Sequence, residues 1–168
     1  FSFAEPVVAA LRLRGVSLFN GGAEIVDTVS KEVLKRTQLE VETLQELVRL
    51  ALPFGYEVFT DSDQYTKSLT SSDQIREPAA KLFIHAVRNA DALHLLAQLN
   101  GVPGAEAHPT TSWEDGDVVD IHITHEFATK RHGAEELIAM LGVKKEEVIA
   151  VGDGYNDVPL LEAAGLKV

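Results

Sequence analysis

The segment that decides the fold is residues 148–165, VIAVGDGYNDVPLLEAAG. Its first four residues form a continuous apolar run, which predicts a strand buried on both faces of a parallel sheet. A polar loop, 152–157, follows directly, and Pro159 suits the first turn of a helix. Upstream, residues 134–141 carry apolar side chains at helical spacing. Helix, strand, loop and helix in this order predict a parallel α/β arrangement.

The loop 152–157 combines the residue types of a ligand site. It leaves the carboxyl end of the predicted strand, where α/β sheets bind their ligands. Asp153, Asn156 and Asp157 supply three oxygen-bearing side chains, and oxygen ligands are those that Mg²⁺ prefers. The alternative is an ordinary strand-to-helix turn in which Asn156 or Asp157 caps the helix. Two glycines beside two carboxylates and an amide favour the ligand loop.

The middle of the chain has a different pattern of apolar and polar residues. Residues 23–26 and 32–38 read as the strands of a hairpin, and 44–51 carry a buried helical stripe. Further strands are predicted at 56–60, 81–87, 105–111 and 118–124, with a helix at 90–99. This pattern predicts an antiparallel α+β unit. His85 and His94 read as half-buried packing residues in it.

Residues 148–165 resemble the fourth motif of the haloacid dehalogenase-like (HAD) superfamily, and most closely that of Cof-type phosphatases with a type IIB cap. Lys130 lies 23 residues before Asp153, which agrees with the spacing of the lysine motif in that family. The segment 19–23, FNGGA, resembles the Asn-Gly-Ala stretch that leads into the cap. Arg131 departs from the pattern, because many members have Gly after the lysine.

The resemblance implies an α/β fold with a partial HAD-like Rossmannoid parallel core and an inserted α+β cap domain. The core segments would be 1–22 and 125–168, and the cap would be 23–124. The nucleophile of the family is the first Asp of an Asp-x-Asp-x-Thr motif, which this sequence lacks. The pairs at 61–63 and 115–117 read as loop carboxylates. We therefore expect a catalytically silent fragment with a whole cap and a partial core.

The resemblance also implies roles for particular residues in a Mg²⁺-dependent phosphatase that works through an aspartyl-phosphate. Lys130 would neutralise phosphoryl oxygens, and Asp153 would hold Mg²⁺. Asn156 and Asp157 would orient either the waters of that metal or Lys130. Substrate contacts are expected at Asn20, Gly21, Trp113 and Lys130. The plainer interpretations are a solvent-exposed lysine before a helix and a turn tryptophan that covers the cap surface.

Composition limits the partners. The chain has 168 residues and a formal net charge of −11, which argues against binding to nucleic acid or to an anionic membrane surface. A small phosphorylated metabolite, such as a sugar phosphate, stays compatible with one cation and a metal. The sequence contains no Cys, which fits a cytoplasmic location. The oligomeric state stays undetermined.

Two other functions are open on the sequence alone. The phosphorylation domain of a P-type ion pump carries a similar Gly-Asp-Gly-x-Asn-Asp-x-Pro segment, but the cap-like middle counts against it. A non-catalytic module, in which a cap and a degenerate core bind a metabolite or a partner, is the other. The residues that precede Phe1 in the gene would discriminate, because the enzyme needs an apolar strand ending in Asp-x-Asp-x-Thr.

Overall fold

A computed structural model describes residues 4–60, 68–154 and 157–168. The chain divides into two compact units. Unit 1 comprises Phe1–Thr37 and Phe127–Val168, and unit 2 comprises Gln38–Glu126. Among the described residues, no helix has both the length and the apolar character needed to cross a membrane.

Unit 1 opens with helix α1 (Glu5–Ala10) and an antiparallel sheet of β1 (Val16–Phe19), β2 (Glu24–Asp27) and β3 (Val33–Arg36). The predicted hairpin is confirmed as β2 and β3. Its turn is fixed by Asp27, whose Oδ1 accepts hydrogen bonds from the amides of Val29 and Ser30 at 2.8 and 3.1 Å. Because β2 also pairs with β1, the structure groups residues 23–37 with unit 1, whereas the sequence analysis placed them in the cap.

Helix α4 (Lys130–Leu141) packs against β1 and the turn 20–22. Gly22 has a φ of +116°, and a Cβ there would lie 2.1 Å from the carbonyl oxygen of Thr129. A Cβ on Gly133 would lie 2.9 Å from the Cα of Gly22. Two glycines thus bring the turn against the amino-terminal end of α4, where Lys130 stands.

The last part of unit 1 contains β8 (Ile149–Ala150), α5 (Val158–Ala163) and β9 (Leu166–Lys167). Strands β8 and β9 are parallel, which confirms the predicted α/β arrangement. The prediction that the strand is buried on both faces is wrong, because Ile149 is 65% and Val151 68% exposed. Within the described residues, β8 has β9 as its one strand neighbour, so these two side chains lie uncovered.

In its described residues, 38–60 and 68–126, unit 2 is an antiparallel four-stranded sheet with two α-helices, α2 (Val41–Ala51) and α3 (Asn89–Leu99). The strand order is β4 (Glu57–Thr60), β5 (Leu82–Arg88), β7 (Val118–His125), β6 (Ala105–Thr111). Apolar side chains of the helices and of one sheet face form one core, which includes the fully buried Leu44, Leu47, Ile84, Leu95 and Ile121. The α+β character predicted for the middle of the chain is confirmed.

Candidate active site

The described residues of the loop after β8, 152–154 and Asp157, lie close together. A Cβ on Gly152 would lie 2.4 Å from the Cβ of Asp157, so only glycine allows this approach. The amide of Asp157 donates to the carbonyl oxygen of Gly154 at 2.9 Å, which closes the loop. Gly152 thus makes room for Asp157, the last carboxylate of the loop.

The side chain of Asp157 binds the loop rather than capping α5. Asp157 stands at the residue before the helix, but its side chain accepts no capping hydrogen bond. Instead, its Oδ2 accepts from the amides of Asp153 and Gly154 at 3.3 and 3.4 Å. The alternative in which this side chain serves as an ordinary helix cap is therefore not what the structure shows.

Lys130 joins this loop from the first residue of α4. Its Nζ donates to the Oδ1 of Asp157, and the two side chains are 31% and 14% exposed. The helix start is fixed by Thr129, whose Oγ1 accepts from the amide of His132 at 3.2 Å. The hydrogen bond from Lys130 is the main cause that lowers the pKa of Asp157, so this carboxyl group is ionised at neutral pH.

The described part of the predicted metal set consists of Asp153 and Asp157. Asn156 lies outside the described residues, as does Tyr155. No group of three or more His, Asp or Glu side chains placed to hold a metal occurs in the ranges 4–60, 68–154 and 157–168. Mg²⁺ needs only one or two carboxylates because it keeps several waters, so an exposed Asp153 beside Asp157 is a compatible donor set.

The turn containing Asn20 and Gly21 is organised by a buried carboxylate that the sequence analysis missed. Glu24 is 4% exposed. Its Oε2 accepts from Nδ2 of Asn20 at 2.8 Å, and its Oε1 accepts from Nε of Arg36 at 2.7 Å. An acid in the otherwise apolar run 23–26 was the available signal. Gly22 then brings this turn against the backbone of Lys130.

The remaining predicted residues lie elsewhere. Trp113 belongs to unit 2, in the turn between β6 and β7. The first Asp-x-Asp pair, 61–63, lies outside the described residues. In the second, Asp117 accepts from Nδ2 of Asn89 at 2.5 Å in the same turn as Trp113, as a loop carboxylate should.

Comparisons with known proteins agree with this geometry. A family profile described as haloacid dehalogenase-like hydrolase matches residues 70–168. Phosphoglycolate phosphatase 1 of Saccharolobus solfataricus is 46% identical over 48 residues, which cover 29% of this chain and 21% of the relative. A haloacid dehalogenase-like hydrolase from B. subtilis has a TM-score of 0.76 at 15% identity, covering 98% of this chain and 72% of that chain. A HAD subclass IIB sugar phosphatase has a TM-score of 0.70 at 16% identity, covering 96% and 66%.

The matches cover different shares of this chain and of its relatives. The first curated relative is matched over about a fifth of its own length. The structural likenesses confirm the predicted fold, an α/β HAD-like core with an inserted cap domain. The family profile covers more than half of the sequence, including Lys130 and the whole loop 152–157. The chain therefore belongs to the haloacid dehalogenase-like hydrolase family.

Proposed function

We propose that the protein is a Mg²⁺-dependent phosphatase that hydrolyses small phosphorylated metabolites, with sugar phosphates as the leading class. The observation that carries the proposal is the Lys130 ammonium held on Asp157 in the loop after β8. Solved and curated relatives described as a sugar phosphatase and a phosphoglycolate phosphatase support the reaction class. They also name two different leaving groups, so the substrate has to be decided on this protein.

Lys130 and Asp157 suit the electrostatic demand of phosphoryl transfer. The transferred group carries negative charge on its oxygens, and catalysis depends on charge compensation and positioning. Lys130 supplies a positive charge that is already fixed before substrate arrives. Asp157 is the positioning residue, since its two oxygens hold Lys130 and the amides of residues 153 and 154. Of the two roles expected for Asp157, this arrangement favours orienting Lys130.

Asp153 is the carboxylate proposed to hold Mg²⁺, with Asn156 and Asp157 as its neighbours in sequence. When bound, the ion supplies further neutralisation of phosphoryl charge. Asp153 is exposed, and its backbone is tied to Asp157, so the loop presents one carboxylate to solvent at a fixed place. Asn20 and Gly21 are proposed to contact substrate from the turn that packs against α4.

The reaction is the hydrolysis of a phosphoric monoester. The P–O bond to the leaving alcohol breaks, the alcohol takes a proton, and the oxygen of water ends on inorganic phosphate. The family resemblance routes this through an aspartyl-phosphate, whose nucleophilic motif is not among the 168 residues. The chain by itself should therefore bind without turnover, and the protein encoded by the whole gene should turn over.

The test compares two proteins on p-nitrophenyl phosphate with and without Mg²⁺. We expect no turnover by the 168-residue chain and Mg²⁺-dependent turnover by the whole gene product. In the latter, Lys130→Ala should lower kcat by about 100-fold or more, while the exposed control Lys144→Ala should not. Turnover by the chain that Asp61→Asn abolishes would show that the nucleophile lies at 61.

A gene product that binds phosphorylated ligands but never hydrolyses them would favour the non-catalytic module instead. A cytoplasmic location and the absence of nucleic-acid and membrane partners stay predictions of the composition.

A further inference from the structure

A buried carboxylate lies where the three antiparallel strands of unit 1 meet. Glu24, the first residue of β2, pairs with Phe19 of β1 and with Arg36 of β3 in the sheet register. Its Oε1 accepts a hydrogen bond from Nε of Arg36 at 2.7 Å. The guanidinium compensates the charge of the carboxylate, which would be costly to bury alone. This ion pair fixes the position of the Glu24 carboxylate at the end of the sheet.

The other oxygen of Glu24 holds a backbone turn in a disfavoured conformation. Oε2 accepts from Nδ2 of Asn20 at 2.8 Å. Asn20, Gly21 and Gly22 have φ values of +51°, +69° and +116°, so three successive residues lie in the region that favours glycine. Asn enters that region more readily than most residues, but still at a cost. Such strain persists only where neighbouring contacts hold it, and Glu24 supplies one of those contacts.

The turn 20–22 packs directly against the backbone of Lys130. A Cβ on Gly22 would lie 2.4 Å from the carbonyl carbon of Thr129 and 2.9 Å from the backbone nitrogen of Lys130. On the next turn of α4, a Cβ on Gly133 would lie 2.9 Å from the carbonyl oxygen of Gly22. Gly22 therefore lies against the peptide bond that joins Thr129 to Lys130. A displacement of the turn would displace the residue that carries the ammonium.

A second link between β3 and α4 is more exposed. Nζ of Lys35 donates to Oε1 of Glu136, and these side chains are 45% and 42% exposed. An exposed ion pair contributes little to stability, because water screens both charges. The buried Glu24 is therefore the carboxylate of this region whose loss should move the start of α4.

We propose that Glu24 is a positioning residue for the Lys130 ammonium, acting through the turn 20–22. The consequence for the reaction rests on the proposed function, because it requires Lys130 to compensate phosphoryl charge. Electrostatic catalysis depends on charges that are in place before the reaction, and a misplacement of about 1 Å is already costly. Without the Glu24 charge, the turn is released and Lys130 is held less firmly on Asp157.

The first measurement is the rate at which acetic anhydride acetylates Lys130 in the 168-residue chain, followed by peptide mass spectrometry. The reagent attacks the neutral amine, so an ammonium held on Asp157 reacts slowly. Lys145 is the internal reference, since its Nζ donates to the carbonyl oxygen of Glu162 at 2.6 Å in the same unit. Glu24→Gln should raise the rate at Lys130 about fivefold and leave the rate at Lys145 unchanged.

The matched control is Glu136→Gln, which removes the exposed carboxylate that pairs with Lys35 and should leave both acetylation rates unchanged. If Glu24→Gln does not fold, Asn20→Gly decides the question, because glycine keeps the positive φ while the donor to Glu24 is lost. That variant should also raise the rate at Lys130 alone. An unchanged rate at Lys130, equal rises at Lys130 and Lys145, or an equal effect of Glu136→Gln would overturn the proposal.

A double-mutant cycle in the whole gene product tests the consequence for catalysis. Glu24→Gln should lower kcat for p-nitrophenyl phosphate about tenfold when Lys130 is present, and less than about twofold in a Lys130→Ala background. Equal losses in both backgrounds would assign Glu24 a purely structural role and overturn the proposal. A gene product without hydrolysis would contradict the phosphatase proposal alone, because the acetylation rates do not depend on turnover.

Discussion

The two units are built on different principles. Unit 2 closes a core in which side chains such as Leu82, Ile84 and Leu95 are fully buried. In unit 1 the strand that leads into the site leaves Ile149 65% exposed, and the site is set by close backbone approaches at Gly22 and Gly152. Burial therefore stabilises unit 2, which can hold the register shift at Ala86 and the buried Asp120. In unit 1, by contrast, glycines and an ion pair define the site.

The largest expected effect on stability tests this contrast directly. Leu95→Ala removes a fully buried side chain from the core of unit 2, and we expect it to lower the free energy of unfolding by about 2–5 kcal/mol. Ile149→Ala truncates a mostly exposed side chain in unit 1, and we expect a change within about 0.5 kcal/mol. Urea unfolding of the two variants gives both values. Similar losses in the free energy of unfolding for the two variants would contradict the contrast between the units.

A smaller effect is expected where unit 1 depends on a glycine. Gly22→Ala puts a Cβ 2.1 Å from the carbonyl oxygen of Thr129 at a positive φ, so we expect a loss of about 2–3 kcal/mol. Gly21→Ala has the same backbone problem, at a φ of +69°, but no atom within 4 Å, so about 1 kcal/mol is expected. Thermal unfolding of both variants isolates the close approach, and equal losses would show that it has no role.

His122 in β7 is expected to make the protein less stable in acid. Burial first, and then the charge of Lys81, lowers the pKa of His122 from 6.5 to about 4. Below pH 6.5 the unfolded state therefore binds a proton that the folded state does not, and stability falls until pH 4. The lowered pKa of His122 should reduce the free energy of unfolding by about 2 kcal/mol at pH 5. Urea unfolding between pH 7 and pH 5 should show a shallower decline for His122→Gln than for the wild type, and parallel declines would contradict it.

The sequence predicted what depends on local pattern. The apolar stripe 134–141 lies in helix α4, as predicted. Lys130 and Asp157, which were singled out by residue type and spacing, are in contact. Burial of Ile149 and Val151 was mispredicted, since an apolar run reports a preference for burial and not the neighbours that provide it. The structure groups residues 23–37 with unit 1 because β1 pairs with β2, and a pairing of this kind is not visible in a local sequence pattern.

The hydrogen bonds that link His85 and Ser112 to Asp120 could not be predicted from the sequence pattern alone. The sequence predicted His85 as a half-buried packing residue, and Asp120 was not singled out. The contact between His85 and Asp120 depends on the register shift at Ala86. The residue type does not predict this shift, since alanine is not expected at a positive φ. The pairing of β5 with β7 brings His85 to Asp120, and the pairing of β6 with β7 brings Ser112 to the same carboxylate.

The most direct test of the account is kcat/KM of the whole gene product over glucose 6-phosphate, ribose 5-phosphate and phosphoglycolate. The loop of unit 1 should serve every substrate alike, so Asp153→Ala should lower all three by a similar factor, about 100-fold or more. Trp113 should rank the substrates, so Trp113→Ala should lower the two sugar phosphates by about tenfold and leave phosphoglycolate within about twofold. An unchanged ranking in Trp113→Ala, or an effect of Asp153→Ala confined to one substrate, would contradict the division of roles.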